Sequence, residues 1–251
     1  MTMIVIKSKN ELEIMREAAK VTAYILGMLP DVIKPGITTA YLDKIVEDEI
    51  RKNKMIPAFK GYGGFPASIC ASVNEQVIHG IPSERVLQEG DIISVDTGTI
   101  YKGYYSDAAR TYPVGQISRA ASKLIEVTKE SFFQGLQFCK KEFRLGDISH
   151  GIQVHAENNG FSIVKDFVGH GIGSNMHEDP QIPNYGPAGR GPRLAEGMVL
   201  AIEPMINQGE DEVMVLEDGW TAVTVDGKLS AHYENTVVIT DGEPEILTLE
   251  R

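Results

Sequence analysis

Cysteine, basic residues and long apolar runs are all scarce in this sequence of 251 residues. The 2 cysteines are too few for a disulfide framework or a zinc ribbon, which favours a reducing compartment. The 24 lysines and arginines face 35 acidic residues, and the net charge of −11 argues against binding to nucleic acid or an anionic membrane. No apolar run approaches the ~18 residues of a membrane span, and the N-terminal apolar run is too short for a signal peptide. These absences predict a cytoplasmic protein.

Helix and strand signals are clear along the chain. Ser8 and Glu11 form a capping box ahead of apolar residues at helical spacing, Pro30 and Pro35-Gly36 are expected to end that helical region, and a second helix follows Thr38 and Thr39. The later predicted segments are a Gly- and Pro-rich loop (59–68), two strands (91–98 and 100–115), two helices (118–139 and 147–159), and a mostly extended region after residue 161 that a long loop (173–193) interrupts.

The two halves of the chain carry similar segments in the same order. The first such segment, Val77-Ile78-His79-Gly80-Ile81, resembles Val168-Gly169-His170-Gly171-Ile172. The second is Glu89-Gly90 ahead of Asp96, which resembles Glu196-Gly197 ahead of Glu203. The third is Tyr105-Ser106-Asp107, which resembles His232-Tyr233-Glu234. Each half also opens with two predicted helices. The pattern predicts a single α+β domain over residues 1–251 with repeated halves, roughly 8–115 and 118–251, about a pseudo-twofold axis. The helices would pack on one side of a curved antiparallel sheet.

Four carboxylates lie at equivalent places of the two halves, in or beside apolar strands: Asp96, Asp107, Glu203 and Glu234. An ionised carboxylate among apolar neighbours is costly unless it is paired or binds a metal. His170 adds one imidazole to this set. Such a mixture suits a pair of divalent cations such as Mn, Fe, Co or Zn better than calcium, which disfavours imidazole. Two such ions about 3.5–4 Å apart form a hydrolytic site.

Six motifs follow one another along the chain: Asn74-Glu75-Gln76-Val77-Ile78-His79-Gly80-Ile81-Pro82, Asp96-Thr97-Gly98, Ser106-Asp107-Ala108-Ala109-Arg110-Thr111, Gly169-His170-Gly171-Ile172-Gly173, Glu203-Pro204-Met205 and Tyr233-Glu234-Asn235-Thr236. With them the chain resembles a methionine aminopeptidase of type I, from near its start to its end. The last four motifs are shared with proline dipeptidases and aminopeptidase P, whereas the first is more specific. The spacings between His170, Glu203 and Glu234 leave no room for the helical insertion typical of type II enzymes.

The resemblance implies the pita-bread fold and the removal of the initiator methionine from nascent proteins and peptides whose second residue is small. It implies two divalent cations, drawn from Co, Mn, Fe, Zn and Ni. Asp107 and Glu234 would bridge the two ions, Asp96 would hold one of them, and His170 with Glu203 the other. Glu203 would also take the proton from the attacking water, as a general base.

The resemblance also implies residues around the scissile bond and the methionine side chain. His79 and His177 would stabilise the tetrahedral intermediate or the leaving amide without binding metal. The apolar pocket would be lined by Tyr62, Phe65, Cys70, Met176 and Trp220. Two of its features depart from the family pattern: Met176 stands where bacterial enzymes usually carry an aromatic residue, and Gly63-Gly64 lacks a histidine common in that loop.

Further partners are implied by the family alone. A monovalent cation is expected near Asn74, Gln76 and Ser230, bound through backbone oxygens. The family is mostly monomeric and acts on nascent chains near the ribosome, so a transient ribosome contact is expected. The alternatives are a proline-directed pita-bread peptidase and a non-catalytic peptide-binding relative. Without the resemblance, the residues are also compatible with an acidic metal-storage protein.

Overall fold

The computed structural model describes residues 3–249, so residues 1–2 and 250–251 of the predicted domain lie outside the described residues. The α-helices within that range are α1 (Lys9–Val32), α2 (Thr39–Lys52), α3 (Arg119–Leu136) and α4 (Leu145–Asn158), and a 3-10 turn covers Tyr62–Gly64. The strands are β1 (Ile56–Pro57), β2 (Ile69–Val73), β3 (Gln76–Ile78), β4 (Ile92–Tyr101), β5 (Tyr104–Pro113), β6 (Ser162–Ile163), β7 (Gly169–Gly171), β8 (Glu178–Ile182), β9 (Val199–Ile202), β10 (Met205–Asn207), β11 (Val213–Val215), β12 (Ala222–Thr224), β13 (Ser230–His232), β14 (Asn235–Val238) and β15 (Glu245–Ile246).

In the described range, α1, α2 and α3 begin where short polar side chains satisfy their first backbone N–H groups. The Ser8–Glu11 capping box is confirmed: the Glu11 carboxylate accepts the Ser8 N–H at 2.7 Å, and the Ser8 hydroxyl accepts the Glu11 N–H at 3.4 Å. The Thr38 and Ser118 hydroxyls cap α2 and α3 without a reciprocal carboxylate. At the start of α4, the Asp147 carboxylate accepts the Arg144 N–H at 2.7 Å. Helix α1 continues past Pro30 and ends at Val32, before Pro35-Gly36, so it ends between the two predicted signals.

The sequence offers two turn signals between β4 and β5, Gly98 and Gly103, and only Gly103 makes the turn. Strand β4 continues through Gly98 to Tyr101, and the turn is made by Lys102 and Gly103, both with positive φ. A Cβ atom on Gly98 would lie 2.4 Å from the Ser106 carbonyl oxygen. Glycine is therefore needed here for close approach between two strands, and not for a turn.

Among residues 3–249, all strand pairs are antiparallel and form four hydrogen-bonded sheets. In the first sheet the order is β1-β4-β2, and β5 also pairs with β4. The other three sheets have the orders β13-β10-β6, β11-β12-β3 and β15-β14-β9-β7-β8. Strand β8 lies inside the stretch predicted as a continuous loop over 173–193, because it pairs with β7, which is close to it along the chain. The predicted α+β class, with helices packed against antiparallel strands, is confirmed.

The two helix pairs pack on separate apolar clusters. The first cluster joins α1 and α2 to β4 and β5 through buried residues such as Ile25, Leu42 and Ile93. The second joins α3 and α4 to the later strands around Phe132 and Ile148, both fully buried. Burying each such side chain contributes about 1.5–3 kcal/mol to folding. Within residues 3–249, every helix falls short of a membrane crossing in length or in apolar character.

Candidate active site

One cavity of about 130 Å³ gathers the residues that the sequence nominated. Its lining contains all of them, together with Phe59: Tyr62, Phe65, Cys70, His79, Asp96, Asp107, His170, Met176, His177, Glu203, Trp220 and Glu234. A cavity of about 150 Å³ holds a benzene ring, so this space suits one side chain of moderate size. Phe59 was not predicted to line the cavity, because it lies at the start of the Gly- and Pro-rich loop, outside every motif.

Strand pairing places two of the carboxylates together. Asp96 of β4 lies opposite Cys70 of β2 and Ala109 of β5, and Asp107 lies opposite Gly98. The two aspartates are therefore diagonal neighbours on one face of the hairpin.

Arg110 joins β5 to the segment that carries Glu234. Its guanidinium donates to the Glu234 carbonyl oxygen and, at 2.6 Å, to the Asn235 side-chain oxygen. The Asp107 N–H donates to the Thr236 hydroxyl at 3.1 Å, and that hydroxyl donates to the Asp107 carbonyl oxygen at 2.8 Å. These contacts hold Asp107 beside Glu234. The sequence predicted no role for Arg110 beyond its place in a motif. Its position three residues after Asp107 was the feature that could have indicated a supporting role.

His170 directs one ring nitrogen at the carboxylates. Its Nδ1 lies 2.9 Å from the Gly171 carbonyl oxygen. A carbonyl can only accept, so Nδ1 carries the proton and Nε2 keeps its lone pair. Nε2 lies 3.6 Å from a Glu203 oxygen and 3.9 Å from an Asp107 oxygen. Donor atoms of Asp107, His170 and Glu234 all lie within 4.8 Å of one another, a spacing that fits a shared metal ion.

The carboxylates are electrostatically unsatisfied without a cation. Burial raises the pKa of Asp96, Asp107, Glu203 and Glu234, and for the last three the negative charge of the neighbours raises the pKa further. One buried oxygen on each of Asp96, Asp107 and Glu234 has no hydrogen-bond partner among the described residues. A set of close, buried oxygen donors and one imidazole fits divalent cations.

Two further histidines flank this centre. His79 has a φ of +59°, a left-handed conformation that is uncommon for a residue other than glycine and typical of functional sites. Burial, and then the charge of His177, lowers the pKa of His79 to about 4, and burial also lowers the pKa of His177. Both rings are therefore neutral at pH 7. The His177 ring lies 4.3 Å from the His170 ring, and its Nδ1 is 2.7 Å from the Tyr62 hydroxyl.

The apolar end of the cavity is a compact cluster. The rings of Phe65 and Trp220 meet edge to face at 5.2 Å, and Cys70 and Met176 are buried beside them. A Cβ on Gly63 would lie 3.3 Å from the Trp220 ring, so a side chain there would press on the pocket wall. Burial, followed by the charge of nearby carboxylates, raises the pKa of the Cys70 thiol, which keeps it protonated and favours pocket lining over nucleophilic attack.

His232 borders the centre, and its place beside Tyr233-Glu234 in the sequence had left a supporting role open. It is buried, its Nε2 lacks a hydrogen-bond partner among the described residues, and that atom lies 3.8 Å from a Glu203 oxygen. Burial lowers the pKa of His232 to about 3, so the ring is neutral.

The residues named for a monovalent cation lie close together. The Asn74 carbonyl oxygen accepts the Ser230 N–H at 2.9 Å, and the Gln76 side-chain oxygen accepts the Val73 N–H at 2.8 Å. A carbonyl oxygen has a second lone pair, so the first contact leaves Asn74 able to bind a cation. The monovalent ion itself stays a prediction.

The geometry agrees with comparisons to known proteins. Residues 13–241 match the model of metallopeptidase family M24. A methionine aminopeptidase of Clostridium acetobutylicum is 60% identical over 248 residues, which cover 98% of this chain and 99% of that protein. Methionine aminopeptidase 1 of Bacillus subtilis is 56% identical over 246 residues, 98% of this chain and 99% of the relative.

The fold is also similar to a solved structure. The crystal structure of the methionine aminopeptidase from Thermotoga maritima superposes with a TM-score of 0.97 at 49% identity, covering 99% of this chain and 100% of that one. This likeness confirms the predicted pita-bread fold, and the family match confirms the resemblance read from the motifs. The chain belongs to metallopeptidase family M24 and, within it, to the methionine aminopeptidases.

Proposed function

We propose that this chain is a metal-dependent aminopeptidase that removes the N-terminal methionine from nascent proteins and peptides when the second residue is small. The observation that carries the proposal is the single cavity in which four buried carboxylates and an imidazole meet an apolar pocket. One end suits cations and the other suits an unbranched apolar side chain, as an exopeptidase for methionine requires.

The proposed metal centre holds two divalent cations, drawn from Co, Mn, Fe, Zn and Ni. Asp107 and Glu234 would bridge the ions, Asp96 would bind one of them, and His170 with Glu203 the other. The unpartnered buried oxygens and the raised pKa values of the carboxyl groups support this assignment. When bound, such cations lower the pKa of water and polarise the scissile carbonyl.

The protein groups would then handle protons and charge. Glu203 would accept the proton of the attacking water and return it to the leaving amine, since its carboxylate faces the cavity. His79 and His177 are neutral, so each can donate one ring N–H to the oxygen or the amide nitrogen that gains charge in the transition state. A proline-directed peptidase is not favoured, because relatives that are 56% and 60% identical to this chain are named methionine aminopeptidases.

The pocket would select methionine by shape. Phe65, Cys70, Met176 and Trp220 form an apolar wall, and Tyr62 closes it on the side of His177. Discrimination between apolar side chains in such a pocket is worth about 1–3 kcal/mol per methylene. The pocket therefore favours methionine over shorter or branched residues.

The direct test is the release of free methionine from Met-Ala-Ser by chelator-stripped protein, with and without Mn²⁺ or Co²⁺. We expect release only with metal, two ions bound per chain by elemental analysis, and little release from Met-Leu-Ser or from Xaa-Pro peptides that do not begin with methionine. The Glu203→Gln variant keeps the cavity but lacks the proposed base and weakens one proposed metal ligand, so its metal content is measured together with its turnover. Metal-independent release, or cleavage only before or after proline, would overturn the proposal.

We also propose a setting for this activity. The chain would act in the cytoplasm as a monomer with one catalytic domain, in transient contact with the ribosome, without a nucleic-acid or membrane partner, and with a monovalent cation near Asn74. The net charge of −11 supports the exclusion of nucleic acid. Sedimentation of the purified protein, alone and with ribosomes, tests the monomer and the ribosome contact.

A further inference from the structure

We propose that Lys7 is a positioning residue for residues 173–178, the loop that carries Met176 and His177 into the cavity. The proposal rests on the proposed function and adds to it a residue outside every motif. Lys7 lies ahead of α1 and pairs with Glu178, the first residue of β8.

The Lys7–Glu178 ion pair is unusually buried. The two side chains are 2% and 6% exposed. Every other pair made by lysine or arginine among residues 3–249 has one partner at least 31% exposed. Lysine is almost never fully buried, and a buried pair is weak evidence for stability because desolvation offsets the attraction. A role in fixing local geometry is the better explanation for this one.

The pair is built into the loop. One Glu178 oxygen bonds to Lys7, and the other accepts the Asn175 N–H at 3.2 Å. The Gly173 N–H donates to the Asn175 carbonyl oxygen at 3.0 Å. A Cβ on Gly173 would lie 2.2 Å from the Lys7 Cε and 2.6 Å from a Glu178 oxygen. The turn therefore packs directly on the charged pair, and a side chain at Gly173 would require Lys7 or Glu178 to shift.

Both sides of this arrangement are anchored. The Lys7 backbone N–H donates to the Gly197 carbonyl oxygen at 2.8 Å, and a Cβ on Gly197 would lie 2.9 Å from the Lys7 carbonyl oxygen. On the other side, the N–H of Tyr105, which lies two residues before Asp107, donates to the Gly173 carbonyl oxygen at 2.9 Å. The loop is thus held between the segment before α1 and the strand that carries a proposed metal ligand.

The position of His177 depends on the Lys7–Glu178 ion pair, because Glu178 directly follows His177 in the chain. Without the Lys7 ammonium, the Glu178 carboxylate would be buried and unpaired, and the loop would have to move to hydrate it. A displacement of about 1 Å of a reacting group can cost about 10²-fold in rate. Met176 would move with His177, so the pocket wall would shift together with the donor.

The test compares Lys7→Met with Arg16→Met, which removes the half-exposed pair between α1 and Glu245 and serves as the matched control. We expect Lys7→Met to lower kcat for Met-Ala-Ser about 10- to 100-fold. We also expect the preference for Met-Ala-Ser over Leu-Ala-Ser, a ratio of kcat/KM values, to fall at least about fivefold, because Met176 moves. That ratio does not depend on the fraction of folded protein. An unchanged ratio and an unchanged kcat in folded Lys7→Met would overturn the proposal.

A double variant guards against misfolding of the single one. Lys7→Met with Glu178→Leu removes both charges, and an apolar replacement of a buried ion pair is often neutral for folding. We expect a normal melting temperature and a Met/Leu ratio above that of Lys7→Met, because no buried carboxylate is left to hydrate. A ratio equal to that of Lys7→Met would overturn the proposal, because the loop would then be displaced without an unpaired charge.

Hydrogen exchange of the metal-free protein gives a readout that is independent of turnover. Amides of residues 171–178 should exchange faster in Lys7→Met than in the wild type, while those of α3 stay unchanged. Wild-type protein that releases no methionine would refute the proposed function alone, and the exchange data would still decide the role of Lys7. Equal exchange of 171–178 in both proteins would overturn that role.

Discussion

The hydroxyl of Tyr62 is expected to act on catalysis through His177. For His177 to donate from Nε2 to the substrate, its neutral ring must carry the proton there and accept at Nδ1. The Tyr62 hydroxyl lies 2.7 Å from Nδ1 and meets this need by donating to it. Tyr62→Phe removes that donor while the ring keeps lining the pocket. The hydrogen bond thus fixes the ring that faces the scissile bond.

The size of the effect follows from the geometry. A neutral hydrogen bond contributes about 0.5–1.5 kcal/mol, which is about 2- to 13-fold in rate. Tyr62 is 40% exposed, so water replaces part of the lost contact and the expected fall in kcat is about three- to fivefold. His177→Ala removes the whole donor and should cost about 10²-fold. KM for Met-Ala-Ser should change little in Tyr62→Phe.

The decisive assay is a double-mutant cycle on methionine release. If Tyr62 acts through His177, Tyr62→Phe should have no further effect in the His177→Ala background. Tyr41→Phe, on the exposed face of α2, is the matched control and should leave kcat unchanged. Equal effects of Tyr62→Phe in both backgrounds would show that the hydroxyl acts elsewhere.

Three other changes have defined outcomes. Glu203→Gln should keep the fold, as judged by circular dichroism, but lose most of the methionine release, and near-normal kcat would rule out its role as base. In metal-free protein, Asp96→Asn should raise the free energy of unfolding. The pKa of Asp96 lies at about 7 in the fold, above its usual value, so the ionised side chain destabilises the folded state. This destabilisation is complete above pH 7 and disappears as the pH falls towards about 4. The melting temperature of this variant should therefore exceed the wild type by more at pH 8 than at pH 5, and a constant difference would contradict this. Phe132→Ala removes a fully buried ring of α3 and should lower the free energy of unfolding by about 3–5 kcal/mol in urea titrations, whereas a loss below about 1 kcal/mol would contradict tight packing there.

Local sequence signals were sufficient to predict where helices α1, α2 and α3 begin. Ser8, Thr38 and Ser118 each supply the side-chain oxygen that a helix start needs, and the apolar spacing behind them matches the buried faces. Helix ends were less certain because Pro30 is tolerated in the last turn of α1. Capping is a contact between near neighbours, so it is visible in the sequence.

Contacts between distant residues could not be predicted in this way. Gly98 reads as a turn signal, and only its distance to Ser106 in the paired strand shows that it is a close-approach glycine. Strand β8 depends on pairing with β7, and Lys7 looks like any surface lysine until Glu178 is placed against it. The motifs contain His79 and the five proposed metal ligands, and the family resemblance supplied His177 and the pocket residues, whereas the residues that support them are set by packing.

The contacts around Arg110 have a consequence for the order of assembly. Arg110 reaches Glu234 across 124 positions of the chain, and Asp107 reaches Thr236 across 129. Contacts of such separation form only after both partners have been synthesised, and their loop closure is entropically costly. Asp107 and Glu234, the carboxylates proposed to bridge the cations, would thus come together only at the end of translation. Metal loading would then be a late event in the life of each molecule, and a copy still emerging from the ribosome could not process its own N-terminus.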